Sequence, residues 1–238
     1  VKAADSVPVQ RSSQAATAYT RRHSARLSLP NWTVGTSSEV AYFRYMDFNN
    51  LKEIIEHRRS SKPALMNGKK IDDHTILQLL ALADWAPTHG HTEPWRFIVY
   101  ANQAVQQFCH EHAGLYQAYT PSARFETAKF EKLWHNGDLC SHVIVTYMKR
   151  GHNPKVTAEE EICAVAASIE HILLGASALQ IAALWSTGGL THHAAMKTFF
   201  GLEDHDHLVG MLYLGYTDQP PKTGHRMMPL PEKIDWRG

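Results

Sequence analysis

Cysteine is scarce in this chain. Its 238 residues hold three, Cys109, Cys140 and Cys163, with no C-x-x-C pair among them. That spacing argues against a disulfide framework and against a thiolate zinc site. It fits a reducing compartment, so a cytoplasmic location is expected. Charge of one sign is lacking as well. Lys and Arg number 24 against 23 Asp and Glu, a formal net charge of +1. No overall field draws the chain to nucleic acid or to a membrane surface, and neither partner is expected. A clean apolar run is also missing. The longest apolar stretch, Ile162 to Trp185, contains Ser168, Glu170, His171, Ser177 and Gln180. A membrane span of about 20 residues carries few such groups near its centre, so the stretch reads as a helix buried in protein. No apolar segment of the kind that forms a secretory signal stands near the start.

Motif absences narrow the chemistry. No G-x-G-x-x-G follows an apolar strand and no Walker A loop is present, which excludes a dinucleotide held in a Rossmann cleft. No G-x-S-x-G elbow occurs. Histidine is abundant at 16 residues, with the pairs His89/His91, His110/His112, His192/His193 and His205/His207. Residues two apart on a helix do not share a face, and no H-E-x-x-H is present, so no metal site is expected. His110, His112, His205 and His207 are expected at the surface.

What is present is an ordinary core composition, 44% hydrophobic and 20% charged, enough for one domain with an appendage. Residues 1–45 are rich in Ser, Ala, Thr and Arg, with only Asp5 and Glu39 acidic. Such a segment offers no core face, and disorder is expected there. Three readings of it compete: an organellar transit peptide, a regulatory tail, or a reading frame extended upstream of a natural start at Met46, the one favoured here. Residues 46–238 form the folded domain. Asp47 or Asn49 caps a helix through Leu51, Ile54 and Ile55, stopped by Pro63. Asp72 or Asp73 caps a second, with Ile76, Leu79, Leu80 and Ala83 on one face. Strands are predicted over Trp95–Tyr100, His142–Met148 and Leu208–Tyr216, with a short fourth at Ile234 and Trp236. Residues 103–132 read as interrupted helix. Thr157 caps a long helix from Ala158 to about Leu184, whose Glu159, Glu160 and Glu161 suit its positive end. Trp185 to Gly189 reads as a turn, and His192 to Gly201 as a short helix ending on glycine. Few strands among many helices make the class α+β.

Arg58, Arg59 and Ser60 stand at the end of the first helix. Two guanidiniums beside a hydroxyl suit bidentate phosphate contact. Taken alone, an exposed basic helix end explains the same residues. They do not stand alone. Ala86-Pro87-Thr88-His89 leads into Glu93-Pro94-Trp95-Arg96-Phe97, Trp185-Ser186-Thr187-Gly188 follows the long helix, and Val209-Gly210-Met211-Leu212-Tyr213-Leu214-Gly215 closes the set. In this order and spacing, from about Asp47 to Trp236, the chain resembles the nitroreductase family and its small bacterial members.

The resemblance implies an α/β/α sandwich around a central mixed sheet and a domain-swapped homodimer with FMN at the interface. Arg58, Arg59 and Ser60 would meet the FMN phosphate and ribityl chain. Pro87 and Thr88 would lie in the flavin loop, and His89 would reach the partner's flavin. Trp185, Ser186, Thr187 and Gly188 would lie against the isoalloxazine, and Arg226 would hold phosphate. The implied activity is hydride transfer from NADH or NADPH through the flavin to a nitroaromatic, quinone or activated alkene, in ping-pong order. Two alternatives stay open: a flavin-consuming or dehalogenating enzyme of the same fold, and a non-catalytic flavin-binding or sensor protein. The chain departs from the family pattern at His91 and Glu93, where many members carry Asn and Gln. Glu93 beside a reduced flavin would be unfavourable unless it points away or pairs with Arg96.

Overall fold

Two apolar runs dictate the middle of the sheet. β2 (His142–Met148) and β4 (His207–Gly215) are buried along almost their whole length, as strands covered on both faces must be. The computed structural model describes residues 48–220 and 222–238, so the expectation for residues 1–45 lies outside the described residues. β1 (Trp95–Ala101) and β3 (Ala182–Ser186) flank the central pair in the order β1-β2-β4-β3, with every neighbouring pair antiparallel. Parallel pairing is limited, among the described residues, to a single bridge between Ser60 and Ala183.

Among the described residues six α-helices accompany the sheet: α1 (Phe48–His57), α2 (Asp73–Ala83), α3 (Gln103–Tyr119), α4 (Thr127–His135), α5 (Ala158–Ala178) and α6 (Ala194–Phe200). Alternation along the strands sorts them into two outer layers. Ile144 and Met148 of β2 with Leu212 and Leu214 of β4 join a core containing Ile76 and Leu79 of α2 and Ile169 and Ile172 of α5. Val143, Val145, Met211 and Tyr213 face the other way, onto Val105 and Phe108 of α3 and Met196 of α6. The result is the expected α+β, three-layer sandwich. One bulge interrupts the alternation. Thr146 pairs with Gly210 but Tyr147 pairs with Leu208, so Val209 is the extra residue. Its side chain joins the α2–α5 core while Leu208 joins the other.

α5 is the spine of the layer it shares with α2. Thr157 caps it in a reciprocal capping box. The Glu160 N–H donates to Thr157 Oγ1 at 3.3 Å and the Thr157 N–H donates to Glu160 Oε2 at 2.8 Å, satisfying two donors that a helix start leaves open. One residue further in, the buried Glu161 carboxylate takes Arg150 Nη1 at 2.5 Å and the Gly151 N–H at 3.1 Å. The helix ends at Ala178, six residues before the expected Leu184. Gln180 takes the left-handed conformation, φ +57°. The Ile181 N–H donates to Ala176 O at 2.8 Å, and the Gln180 N–H to Ser177 O at 3.1 Å. That is the hydrogen-bond pattern of a Schellman stop, built without the usual glycine. The apolar residues beyond it form β3, so Trp185 and Ser186 belong to a strand and not to the predicted turn. The fourth strand is therefore Ala182–Ser186. Ile234 and Trp236 are exposed coil after a 3-10 turn over Leu230–Lys233.

His112 also departs from expectation. It lies on the buried face of α3 with Phe108, Cys109, Ala113 and Tyr116, 2% exposed. Its Nε2 accepts the Leu190 N–H at 3.4 Å, and its Nδ1 has no partner. Accepting at Nε2 requires the neutral ring with the proton on Nδ1. Burial lowers the pKa from 6.5 to about 4. The unfolded chain therefore binds this proton first, and the stability tied to neutral His112 is complete above pH 6.5 and is lost as pH falls towards 4. A shift of this size corresponds to about 3 kcal/mol. The melting temperature of the native chain should fall more steeply between pH 7 and pH 4.5 than that of His112→Leu. Parallel curves for the two proteins would remove His112 as a source of acid sensitivity.

Candidate functional site

The first group of candidate residues follows α1. The Arg58 N–H closes the helix on Ile54 O, and the chain then runs beside β3, where the Ser61 N–H donates to Ala183 O at 2.9 Å. This turns both guanidiniums into an open cavity of about 1040 Å³ at the C-terminal end of α5, a size suited to a cofactor. Four cationic side chains line it, Arg58, Arg59, Lys69 and Lys222, against Glu53 and Asp218. The excess is positive, as an anion requires. Ser61 rather than Ser60 lines the cavity. Ser60 stands in the backbone bridge to β3.

Arg59 is held in place. Its Nη1 donates to Arg58 O at 2.6 Å and its Nε to Lys222 O at 3.1 Å. The guanidinium lies close over Gly224, so a Cβ there would displace it. Arg58 is looser, 3.6 Å from Glu170 on α5 and partly exposed. Arg226 follows two residues after Gly224, so its segment passes the site. Its own guanidinium is exposed and donates to His225 O at 3.3 Å.

The second group follows α2. The loop is closed at its base by Trp95 Nε1 donating to Asp84 Oδ1 at 2.9 Å. Thr88 braces it from within. Its Oγ1 accepts the Glu93 N–H at 3.3 Å and lies 3.2 Å from Thr92 Oγ1. His91 and Glu93 both take positive φ, +52° and +43°, a conformation that costs a side-chain-bearing residue energy and tends to mark functional loops. Arg96 donates to the Glu93 and Trp95 carbonyl oxygens at 2.8 and 2.7 Å. It does not neutralise the Glu93 carboxylate, which is exposed. His89 Nδ1 meets Glu160 Oε1 at 2.8 Å. The Thr157 backbone N–H first, and His89 second, hold the Glu160 carboxyl below its ordinary range. Pro87, Thr88 and His89 border a second cavity of about 450 Å³ with Glu159, Glu160, Cys163, Ala164 and Ala167.

The third group is the end of β3. The Trp185 indole lies across Gly210, directly after the bulge, and its Nε1 donates to Val209 O at 3.4 Å. Any side chain at position 210 would collide with the ring. The bulge thus aims Trp185, the usual effect of such an irregularity. Ser186 Oγ accepts the Gly188 N–H at 3.4 Å, and Thr187 is exposed.

The geometry joins some of the candidates and separates others. Arg58, Arg59, the Ser60 bridge and the Ala182–Ala183 start of β3 lie together, whereas Trp185, Ser186, Thr187 and Gly188, beyond them, do not line that cavity. The Pro87–His89 loop stands apart. Arg58 contacts Glu170 and His89 contacts Glu160, ten residues apart on α5, or about 15 Å at 1.5 Å per residue, and each borders a different cavity. Sequence reasoning missed Glu160 as a partner of His89. The pattern Thr157-x-x-Glu160 marks it as a capping residue, but nothing local signals its contact with a loop 71 residues away. Among the described residues no three His, Cys, Asp or Glu side chains converge in a metal-binding group.

Known proteins share this fold. The Bacillus subtilis protein named "Putative NAD(P)H nitroreductase YfhC" is 24% identical over 179 residues, covering 74% of this chain and 89% of that one. The structure of a nitroreductase-like family protein from Bacillus cereus superposes with a TM-score of 0.67 at 25% identity, over 79% of this chain and 95% of that one. A variant of the FMN- and NADPH-dependent nitroreductase NfnB from Sphigopyxis sp. strain HMH superposes at 0.62 with 15% identity, over 79% of this chain and 99% of that one. The sequence profile of the Nitroreductase family matches residues 55–216, more than half of the chain, and with the fold and the Arg58–Arg59 cavity this establishes that the chain belongs to the nitroreductase family.

Proposed function

We propose that residues 46–238 form an FMN-dependent oxidoreductase that draws hydride from NADH or NADPH and works as a homodimer, its flavin held between the two chains. The observation that carries this reading is the separation of the two groups of residues into two cavities along α5. Arg58 reaches Glu170 and His89 reaches Glu160, about 15 Å apart along the helix, and the two border separate cavities. One flavin can meet Arg58 of one chain and His89 of the partner subunit.

The residues present fit the cofactor. Arg58 and Arg59 would take its phosphate, with Arg59 already seated over Gly224 and Lys222 adding charge from the same wall. Ser60, Trp185, Ser186, Thr187 and Gly188 would border it along the β3 edge, Pro87 and Thr88 in the braced loop, and Arg226 from the C-terminal segment. Bound flavin supplies two-electron hydride chemistry that no side chain here can provide, and the protein binds, orients and excludes. His89 and the cationic side chains favour negative charge on the bound group. With no separate dinucleotide cleft encoded, nicotinamide and a small acceptor (a nitroaromatic, quinone or activated alkene) use one open pocket in turn. The free thiols Cys109, Cys140 and Cys163 fit a reducing compartment such as the cytoplasm.

Uncovered apolar surface supports the dimer. None of the ten residues of α1 is buried, although Phe48, Leu51 and Ile55 are apolar. Met227 is 91% and Trp236 89% exposed in the C-terminal segment. Along α5, Cys163 and Ala178 are exposed and Ala166, Ala167 and Leu174 half-buried. Surfaces of this kind are closed by a partner.

Three measurements test the reading. Arg58→Ala should weaken FMN binding about 10- to 100-fold, from a charge-assisted contact of about 1.5–3 kcal/mol. An unchanged affinity takes Arg58 out of the site. Sedimentation of the flavin-loaded protein at micromolar concentration should give twice the chain mass, and a loaded monomer would contradict the shared site. Initial rates over a grid of NADPH and a quinone should give parallel double-reciprocal lines. Intersecting lines would mean that both ligands bind at once.

A further inference from the structure

We infer that Glu160 is the positioning residue for His89, fixing which ring nitrogen the histidine presents to a ligand in the second cavity; this rests on the functional reading above and deepens it. Each oxygen of the Glu160 carboxylate has a partner. Oε2 accepts the Thr157 N–H at 2.8 Å and Oε1 meets His89 Nδ1 at 2.8 Å. An ionised carboxylate has no proton to donate and can only accept a hydrogen bond from Nδ1–H, so the Nδ1–H form of the ring is selected. The first bond belongs to the capping box, which locks the Glu160 rotamer against the start of α5. His89 is therefore tied to a rigid helix end, although it stands in a loop and its side chain is 60% exposed.

The consequence is chemical. With Nδ1 committed, Nε2 is the nitrogen left for the cavity that His89 borders. Neutral, it accepts a hydrogen bond from a group such as an imide N–H. Protonated, it donates to an anionic nitrogen or oxygen, with the carboxylate behind it balancing the charge. Either way the ring arrives oriented, and the bound ligand does not bear the entropy of ordering it.

The test separates positioning from capping. The His89 tautomer is read by imidazole nitrogen NMR of the full chain at pH 8, and FMN affinity is measured by titration of the stripped protein. The native chain should show Nδ1–H. Glu160→Ala should revert to Nε2–H, which an unconstrained imidazole favours in water, and bind FMN about tenfold more weakly. Glu160→Gln, which keeps an acceptor oxygen, should restore the Nδ1–H form. Thr157→Ala should lower the melting temperature through the lost cap and leave FMN affinity alone. Glu160→Ala should have no further effect on affinity in a His89→Ala background. A native Nε2–H tautomer, or additive losses in the double variant, would overturn the inference. Absence of FMN binding by the native chain would instead sink the functional reading and with it the ligand-facing half of this one, while the tautomer result would still decide the Glu160–His89 link.

Discussion

Everything in the site is referred to the place where α5 starts. The buried Glu161 carboxylate and the Arg150 guanidinium set that place. Arg150 also donates through Nη2 to Val156 O at 2.6 Å, so the segment from the end of β2 to the first turn of α5 is one hydrogen-bonded unit. Removing one partner of such a pair strands a buried charge, at a cost of about 3–5 kcal/mol. With the start fixed, Glu160 is one residue from the anchor and His89 one hydrogen bond from Glu160. The far end of the same helix reaches the Arg58 cavity. A shift in the entry of α5 would move both halves of the site together.

Much of this was legible in the residues. β2 and β4 are continuous apolar runs, and both lie where they were expected because strands covered on two faces leave that pattern. Thr157 marks the start of α5 for a local reason, the capping box. The end of α5 was misplaced for an equally local reason. The left-handed stop falls on Gln180, which carries no such signal, and the apolar composition continues unbroken from helix into β3. Ile234 and Trp236 have the composition of a strand, but Pro229 and Pro231 precede them and no described strand edge lies alongside. His112 could have been placed correctly. Val105, Phe108, Cys109, His112, Ala113 and Tyr116 form a single helical stripe, and position in that stripe outweighed polarity.

The site was legible as a set of residues but not as an arrangement. Arg58 and Arg59 could be read as an anion cradle because guanidinium geometry is a property of the side chain. That His89 and Arg58 stand apart along α5 follows from tertiary contacts to Glu160 and Glu170, which no local pattern marks. Glu160 was seen only as a charge favourable to a helix start. Its second role arises because a distant loop folds back onto the same turn.

The separation of Arg58 from His89 along α5 has a genetic meaning. In the proposed dimer, whose two sites would each draw one half from each chain, a chain defective at Arg58 and a chain defective at His89 would not simply add their faults when they pair. One site would collect both defects and the other would receive neither. Two individually impaired copies would thus restore one intact centre per molecule. A single copy impaired at both positions, paired with a sound one, would leave a flaw in each of the two centres.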